Sequence, residues 1–181
     1  MVRLITGAGG MMGSHLYDAL RGQDVLPTYY DSTLDSRETI THEMAMLDVV
    51  SSFIMVKQFL EEYRPSVIYH LAAQSRPDVS FNYPARTIQT NVIGTINILQ
   101  ACAELGLKPL FINASSSAVY GDIDWSTPPN EERHCRPLSP YGTSKLAQEH
   151  IVKNFNQMHD IPYVNVRIFN CTGPRLSLIH I

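Results

Sequence analysis

Thr6-Gly7-Ala8-Gly9-Gly10-Met11-Met12-Gly13 is the stretch that decides the fold. The apolar run Val2 to Thr6 leads into it, and Met12 to Arg21 reads as a helix leaving it. A strand that breaks into glycines and reopens as a helix lets backbone N–H groups approach a pyrophosphate, helped by the positive end of the helix. Gly7 and Gly10 serve the turn, Met11 and Met12 continue it, and Gly13 lets the helix pack closely on the strand. The spacing is not the common G-x-G-x-x-G, because Met12 stands where that pattern has its last glycine. Taken alone the motif is only a glycine turn. Between a strand and a helix it reads as a cofactor-binding loop.

Working outward, strand and helix alternate. Asp24 to Tyr30 is strand-like despite Pro27, which suggests an irregular or partly exposed stretch. Met44 to Leu47 reads as a short third strand. Ser51 is placed to cap a helix running through Tyr63, with Phe53, Val56, Phe59 and Leu60 on one face. Val67 to Leu71 is another strand. Pro84 to Leu105 is the longest helical pattern, with Ile88, Val92, Ile96 and Leu99 at helical spacing and Gly106 closing it. Leu110 to Ala114 is a strand, and Ala118 to Ser139 is a polar, proline-rich loop. Ser139 and Pro140 suit the N-cap and first turn of a helix to about His159, and Tyr163 to Phe169 is a last strand. Strands separated by helices predict an α/β, doubly wound parallel sheet with helices on both faces, the NAD(P)-binding Rossmann architecture.

Composition narrows the function classes. The 181 residues suggest one domain, and 44% apolar residues suffice for a packed core. A net charge of −3 without long runs of either sign argues against nucleic acid or an anionic membrane as partner. No apolar stretch approaches the ~20 residues that cross a bilayer. Three widely spaced cysteines, Cys102, Cys135 and Cys171, fit reduced thiols in a cytoplasmic protein, and no metal is assigned. The sequons at Asn113 and Asn170 lie in or at the end of strand-like runs, where chance matches are the simpler reading. Leu176 to Ile181 resembles a translated sequencing adapter, so the expected organisation is a Rossmann domain over 1–175 and a non-native tail over 176–181, with the substrate domain missing from a truncated chain.

Two further constellations carry chemistry. Asp31, at the end of the second strand-like run, can accept hydrogen bonds from adenosine ribose hydroxyls and would repel the extra phosphate of NADP, which slightly favours NAD. Arg37 nearby keeps NADP open, and a plain turn aspartate is the structural alternative. Tyr141 and Lys145 stand four apart at the start of a helix, on one face. A neighbouring ammonium favours tyrosinate, which would make Tyr141 an acid/base near neutral pH. Ser116, at the end of the preceding strand, is placed to hydrogen-bond the reacting oxygen.

With these motifs in order, the chain resembles the extended short-chain dehydrogenase/reductase family, in its NAD-dependent epimerase/dehydratase branch acting on nucleotide sugars. The matching stretches are Thr6 to Gly13, His70 to Ser75, Asn91 to Thr95, Ser115 to Gly121, Ser139 to Lys145 and Arg167 to Asn170. The resemblance implies NAD(P) as cofactor, a nucleotide-sugar substrate and a homodimeric full-length enzyme. It implies that Asp48 and Val49 contact the adenine, and that Leu71, Ala72 and Ala73 line the cofactor. Ser116, Tyr141 and Lys145 would be catalytic, with Lys145 also holding the nicotinamide ribose. Ser116, Ser117 and Asn170 would face the substrate, and Asn91 would have a structural or proton-relay role.

Within the branch, His70 to Ser75 and Pro84 to Ala101 look most like GDP-4-keto-6-deoxymannose reductases, with GDP-mannose 4,6-dehydratases next. Those dehydratases carry a glutamate two positions beyond the serine/threonine, where this chain has Ala118. Ser-Ser-Ala-Val-Tyr-Gly also resembles sugar 4-epimerases. A 4-keto reductase or 4-epimerase is therefore expected ahead of a dehydratase. A non-catalytic dinucleotide sensor is the alternative from another class, though it would not need an intact serine, tyrosine and lysine set.

Overall fold

The structure, a computed structural model, describes residues 1–30, 43–123 and 126–176. Asp31 and Arg37, and the tail beyond Leu176, lie outside the described residues.

Among the described residues six strands form one sheet: β1 (Arg3–Thr6), β2 (Val25–Tyr29), β3 (Ala45–Met46), β4 (Val67–His70), β5 (Leu110–Ser116) and β6 (Tyr163–Ile168). Their order is β3-β2-β1-β4-β5-β6, and every pairing is parallel. The order reverses between β1 and β4, which opens a crevice at the carboxyl ends of the strands. Doubly wound sheets bind their ligands at such a point.

Alternation along the strands sends successive side chains to opposite faces. Leu4, Ile68 and Phe111 point to one face. They are fully buried there against α2 (Phe53–Tyr63), α5 (Gly94–Glu104) and α6 (Pro140–His159), through Val56, Leu60, Ile98, Leu99 and Val152. Ile5 points to the other face, where Leu16 and Tyr17 of α1 (Met11–Ala19) cover it. Helices thus cover both faces, as the alternating pattern predicts.

Several expectations are corrected in detail. The cap of α2 is Ser52, not Ser51; its hydroxyl accepts the Met55 N–H. Pro27 is buried inside the regular strand β2, paired with Ile5. It is tolerated because pairing to β3 starts only at Thr28, so its missing N–H breaks no bond there. The segment after β4, which carries no apolar periodicity, forms a short helix α3 (Pro77–Asn82), with Pro77 in its first turn. The long helical pattern is divided into α4 (Pro84–Ile88), a π turn over Gln89–Ile93, and α5. The π turn holds the buried Asn91, whose side-chain amide is spent outside the helix: Oδ1 accepts the Gln74 N–H at 2.7 Å and Nδ2 donates to the Gln74 carbonyl at 3.1 Å. Such turns recur where a helix carries function.

Candidate active site

The crevice is a cavity of about 1000 Å³ over the carboxyl ends of the strands. One wall is the glycine loop. Gly7 has φ +73°, a conformation that favours glycine, and a Cβ there would stand 2.8 Å from the Ala72 backbone nitrogen. A Cβ on Gly13 would stand 2.3 Å from the Gly7 carbonyl oxygen, so only glycine lets α1 start this close to β1. Gly10 differs. It is exposed, it precedes α1 in an extended conformation, and a Cβ there would meet only the Gly7 oxygen at 3.5 Å. The open space above Gly10, at the N-terminus of a nine-residue helix, is the cradle that a pyrophosphate requires. The residues present therefore fit a dinucleotide.

Every sequence-predicted cofactor residue among the described ones lines this cavity: Gly7, Gly10, Met11, Met12, Gly13, Asp48, Val49, Leu71, Ala72 and Ala73. The Asp48 carboxylate accepts the Val50 N–H at 2.9 Å, which fixes the turn after β3. Val49 packs its Cγ2 against α5, where a Cβ on Gly94 would come within 2.6 Å of it.

The opposite wall comes from β5 and α6. Ser139 caps α6 by accepting the Gly142 N–H at 3.0 Å, and Pro140 starts the helix, as expected. The Tyr141 N–H is taken by the Ser80 hydroxyl at 3.1 Å, a contact contributed by the unpredicted α3. Ser116 ends β5, and its hydroxyl accepts the Ala118 N–H at 3.1 Å, capping a short turn over Ser117–Val119. Ser116, Ser117, Tyr141, Lys145 and Asn170 all line the cavity, so the structure brings the catalytic and substrate-facing candidates together. Gln74, Ser75, Arg76 and Arg86 also line it; Gln74 and Ser75 close the matching stretch from His70 but sequence reasoning gives them no role, and no local pattern marks Arg76 or Arg86.

The electrostatics depart from expectation. Lys145 lies 5.9 Å from the centre of the Tyr141 ring and donates to the Ala114 carbonyl at 2.9 Å. Burial dominates both groups. It pushes the Tyr141 phenol above its usual range, against a smaller downward pull from the Ser116 hydroxyl. It pushes the Lys145 ammonium down to about 8. The ammonium therefore does not hold the phenol low in this arrangement, and Tyr141 is a neutral phenol at neutral pH, ready to donate a proton.

Behind this wall lies an ion pair between the buried Glu149 and the half-buried Arg167. Arg167 donates to Glu149 from Nε to Oε1 at 2.9 Å and from Nη2 to Oε2 at 2.8 Å, with a longer Nε contact to Oε2 at 3.3 Å. Glu149 also accepts the Ser115 hydroxyl, and Arg167 reaches the Tyr120 hydroxyl at 3.2 Å and the Glu131 carbonyl at 3.1 Å. One guanidinium thus ties α6, β6 and the loop after β5 around Ser116.

The GDP-mannose 4,6 dehydratase family model matches residues 4–179. The chain belongs to this family. Among curated relatives it is 30% identical to UDP-glucuronate 4-epimerase 2 of Arabidopsis thaliana, over 94% of this chain and 42% of that protein. Among solved structures it is similar to Thermus thermophilus UDP-glucose 4-epimerase in complex with NAD, at 29% identity and TM-score 0.84, over 97% of this chain and 59% of that one. It is also similar to UDP-glucuronic acid 4-epimerase of Bacillus cereus in complex with UDP-glucuronic acid and NAD, at 28% identity and TM-score 0.83, over 98% and 59%. This family member thus spans about half the length of the relatives it matches. No helix among its described residues is long and apolar enough to cross a membrane.

Proposed function

We propose that residues 1–175 are the NAD-binding domain of a nucleotide-sugar 4-epimerase, homodimeric at full length. The observation that carries this is one cavity bearing the glycine loop on one wall and Ser116, Tyr141 and Lys145 on the other. The epimerases similar to this chain, two of them in complex with NAD, support the same reading.

NAD supplies a hydride acceptor and, once reduced, a hydride donor. The chain's own groups manage the proton. For the oxidative half Tyr141 must first give up its phenol proton; as tyrosinate it takes the proton of the sugar C4 hydroxyl while that carbon is oxidised, and as phenol it returns it to the oxygen when the other face is reduced. Ser116 donates a hydrogen bond to the same oxygen. Lys145 supplies positive charge beside the phenol and holds the nicotinamide ribose. Asp48 and Val49 face the adenine, and Ser117 and Asn170 face the sugar nucleotide.

The second reading is a GDP-4-keto-6-deoxymannose reductase, which shares with the family model's description a GDP-linked sugar but not the reaction. It uses the same three groups for the reductive half alone. Dehydration is disfavoured because Ala118 offers no carboxylate at the cavity wall.

Tyr141→Phe in the full-length protein tests either reading. It keeps the ring and loses the proton, so turnover on UDP-hexoses or on the GDP-4-keto sugar should fall ~10²–10⁴-fold with NAD affinity nearly unchanged. Wild-type turnover in that variant would defeat the assignment.

A further inference from the structure

Beneath the cavity floor lies a buried hydrogen-bond chain centred on His70. Thr6 ends β1 and His70 ends β4, and the two are register partners in the sheet. His70 Nδ1 is 2.9 Å from the Thr6 hydroxyl, and Nε2 is 3.0 Å from the Thr95 hydroxyl. His70, Thr6 and Thr95 are all shut off from solvent.

Counting protons fixes every direction. The Thr95 hydroxyl donates its one proton to the Asn91 carbonyl at 2.6 Å and accepts from Gln148 Nε2 at 2.6 Å. Toward His70 it can then only accept, so Nε2 carries the ring proton. Burial holds the imidazole neutral, with its pKa near 3, and the Lys145 charge pushes in the same direction. Nδ1 is therefore a bare acceptor, and the Thr6 hydroxyl donates to it. The Thr6 oxygen remains free to accept the Ala72 N–H at 3.2 Å.

This chain joins three parts of the cleft. Thr6 leads directly into Gly7. Ala72 belongs to the opposing segment, the one Gly7 approaches most closely. Thr95 leads through Gln148 to α6, the helix that carries Tyr141 and Lys145.

We infer that His70 is a positioning residue, an imidazole protonated on Nε2, which sets the spacing between the glycine loop and the Leu71–Ala73 segment and ties both to α6. The inference rests on the reading of this cleft as the NAD site. His70 touches neither cofactor nor substrate; it acts through Thr6 and Thr95. The competing role is plain packing, since the ring lies 5.4 Å from that of Phe111.

Two substitutions separate these roles. His70→Phe keeps an aromatic ring and loses both bonds. His70→Gln loses the ring and keeps one acceptor and one donor. NAD titration of the 181-residue chain should give a dissociation constant raised about ten-fold in the Phe variant, the scale of one or two lost hydrogen bonds. The Gln variant should stay near wild type. Unchanged affinity in the folded Phe variant, with loss in Gln, would overturn the positioning role. Nitrogen-15 NMR of the wild type decides the proton assignment without any variant. The Nε2–H tautomer should persist from pH 8 to about pH 5, and an Nδ1–H or imidazolium signature in that range would overturn it. A wild-type chain that bound no NAD would instead strike the cofactor reading, and the NMR result would still decide the state of His70.

Discussion

Lys145 should destabilise the domain that it serves. Its side chain is 4% exposed, and it gives one hydrogen bond, to the Ala114 carbonyl. Burial lowers its pKa from 10.5 to about 8. At about 1.4 kcal/mol per pKa unit, keeping the group charged at pH 7 costs the fold roughly 3 kcal/mol. Lys145→Met removes the charge and keeps an unbranched side chain of similar length. It leaves the Ala114 carbonyl without its donor, a loss of about 1 kcal/mol. The net expectation is a variant more stable by roughly 2 kcal/mol, which for a chain of this size is a Tm higher by about 4–8 °C.

The pH dependence checks the cause. The folded pKa lies below the unfolded one, so the penalty is complete below about pH 8 and vanishes as pH rises toward 10.5. The gap between variant and wild type should therefore close over that window. Urea unfolding at pH 7 and at pH 10 measures it, and NAD titration of the same variant should show weakened binding. If Lys145→Met were less stable than wild type at pH 7, the desolvation argument would be refuted.

Gly10 and Gly13 should separate ligand from fold: Gly13→Ala drives a Cβ into the Gly7 carbonyl and should destabilise by about 1–3 kcal/mol or more. Gly10→Ala should leave urea stability within about 0.5 kcal/mol while weakening NAD binding in a titration, and equal effects from the two variants would contradict the cradle geometry. His70 is neutral when folded, with a pKa near 3, and titrates near 6.5 when unfolded, so the unfolded chain binds the extra proton between these values. Stability should accordingly fall as pH drops from about 6.5 toward 3, and the fall should be shallower in His70→Gln when both are followed by urea unfolding. Arg167→Met strands the buried Glu149 carboxylate and should cost about 3 kcal/mol by thermal or urea unfolding, with much of it recovered in the double variant that also carries Glu149→Met.

How much of this was legible in the sequence depends on how local each constraint is. The glycine loop could be read because one of its steric demands is local: Gly13 must clear the carbonyl of Gly7, six residues earlier. Tyr141 and Lys145 could be paired because helical spacing alone puts them on one face. The cap of α6 was readable for the same reason, whereas Ser51 and Ser52 offer equivalent hydroxyls and only the backbone chooses between them. The π turn was hidden, because apolar spacing continues on both sides of it and its cause, Asn91 gripping Gln74, is a tertiary contact. α3 was hidden because two prolines bracket a segment too short for periodicity to show. The His70 chain was hidden most deeply. Residues 6, 70, 95 and 148 meet only through sheet register and the packing of α5 and α6.

The error over Tyr141 is the instructive one. From sequence, a cation four residues away lowers the phenol's pKa, since the pair is implicitly placed in water with its charge intact. Folding alters both premises. It removes water from each group, which favours neutral tyrosine and neutral lysine alike, and it gives the lysine a carbonyl partner at 2.9 Å. Desolvation therefore outweighs a charge whose nitrogen is 5.9 Å from the ring centre. The same burial that makes the pair unfavourable for the fold makes it useful for chemistry. The ammonium, poised near pH 8, can gain or lose its proton with a small change in local charge, and the phenol beside it holds a proton to donate. The site is thus a place where local preference and global fold disagree. That disagreement, set on the same cavity as the glycine loop, is the physical reason for reading the cleft as catalytic and not merely as a place where a dinucleotide rests.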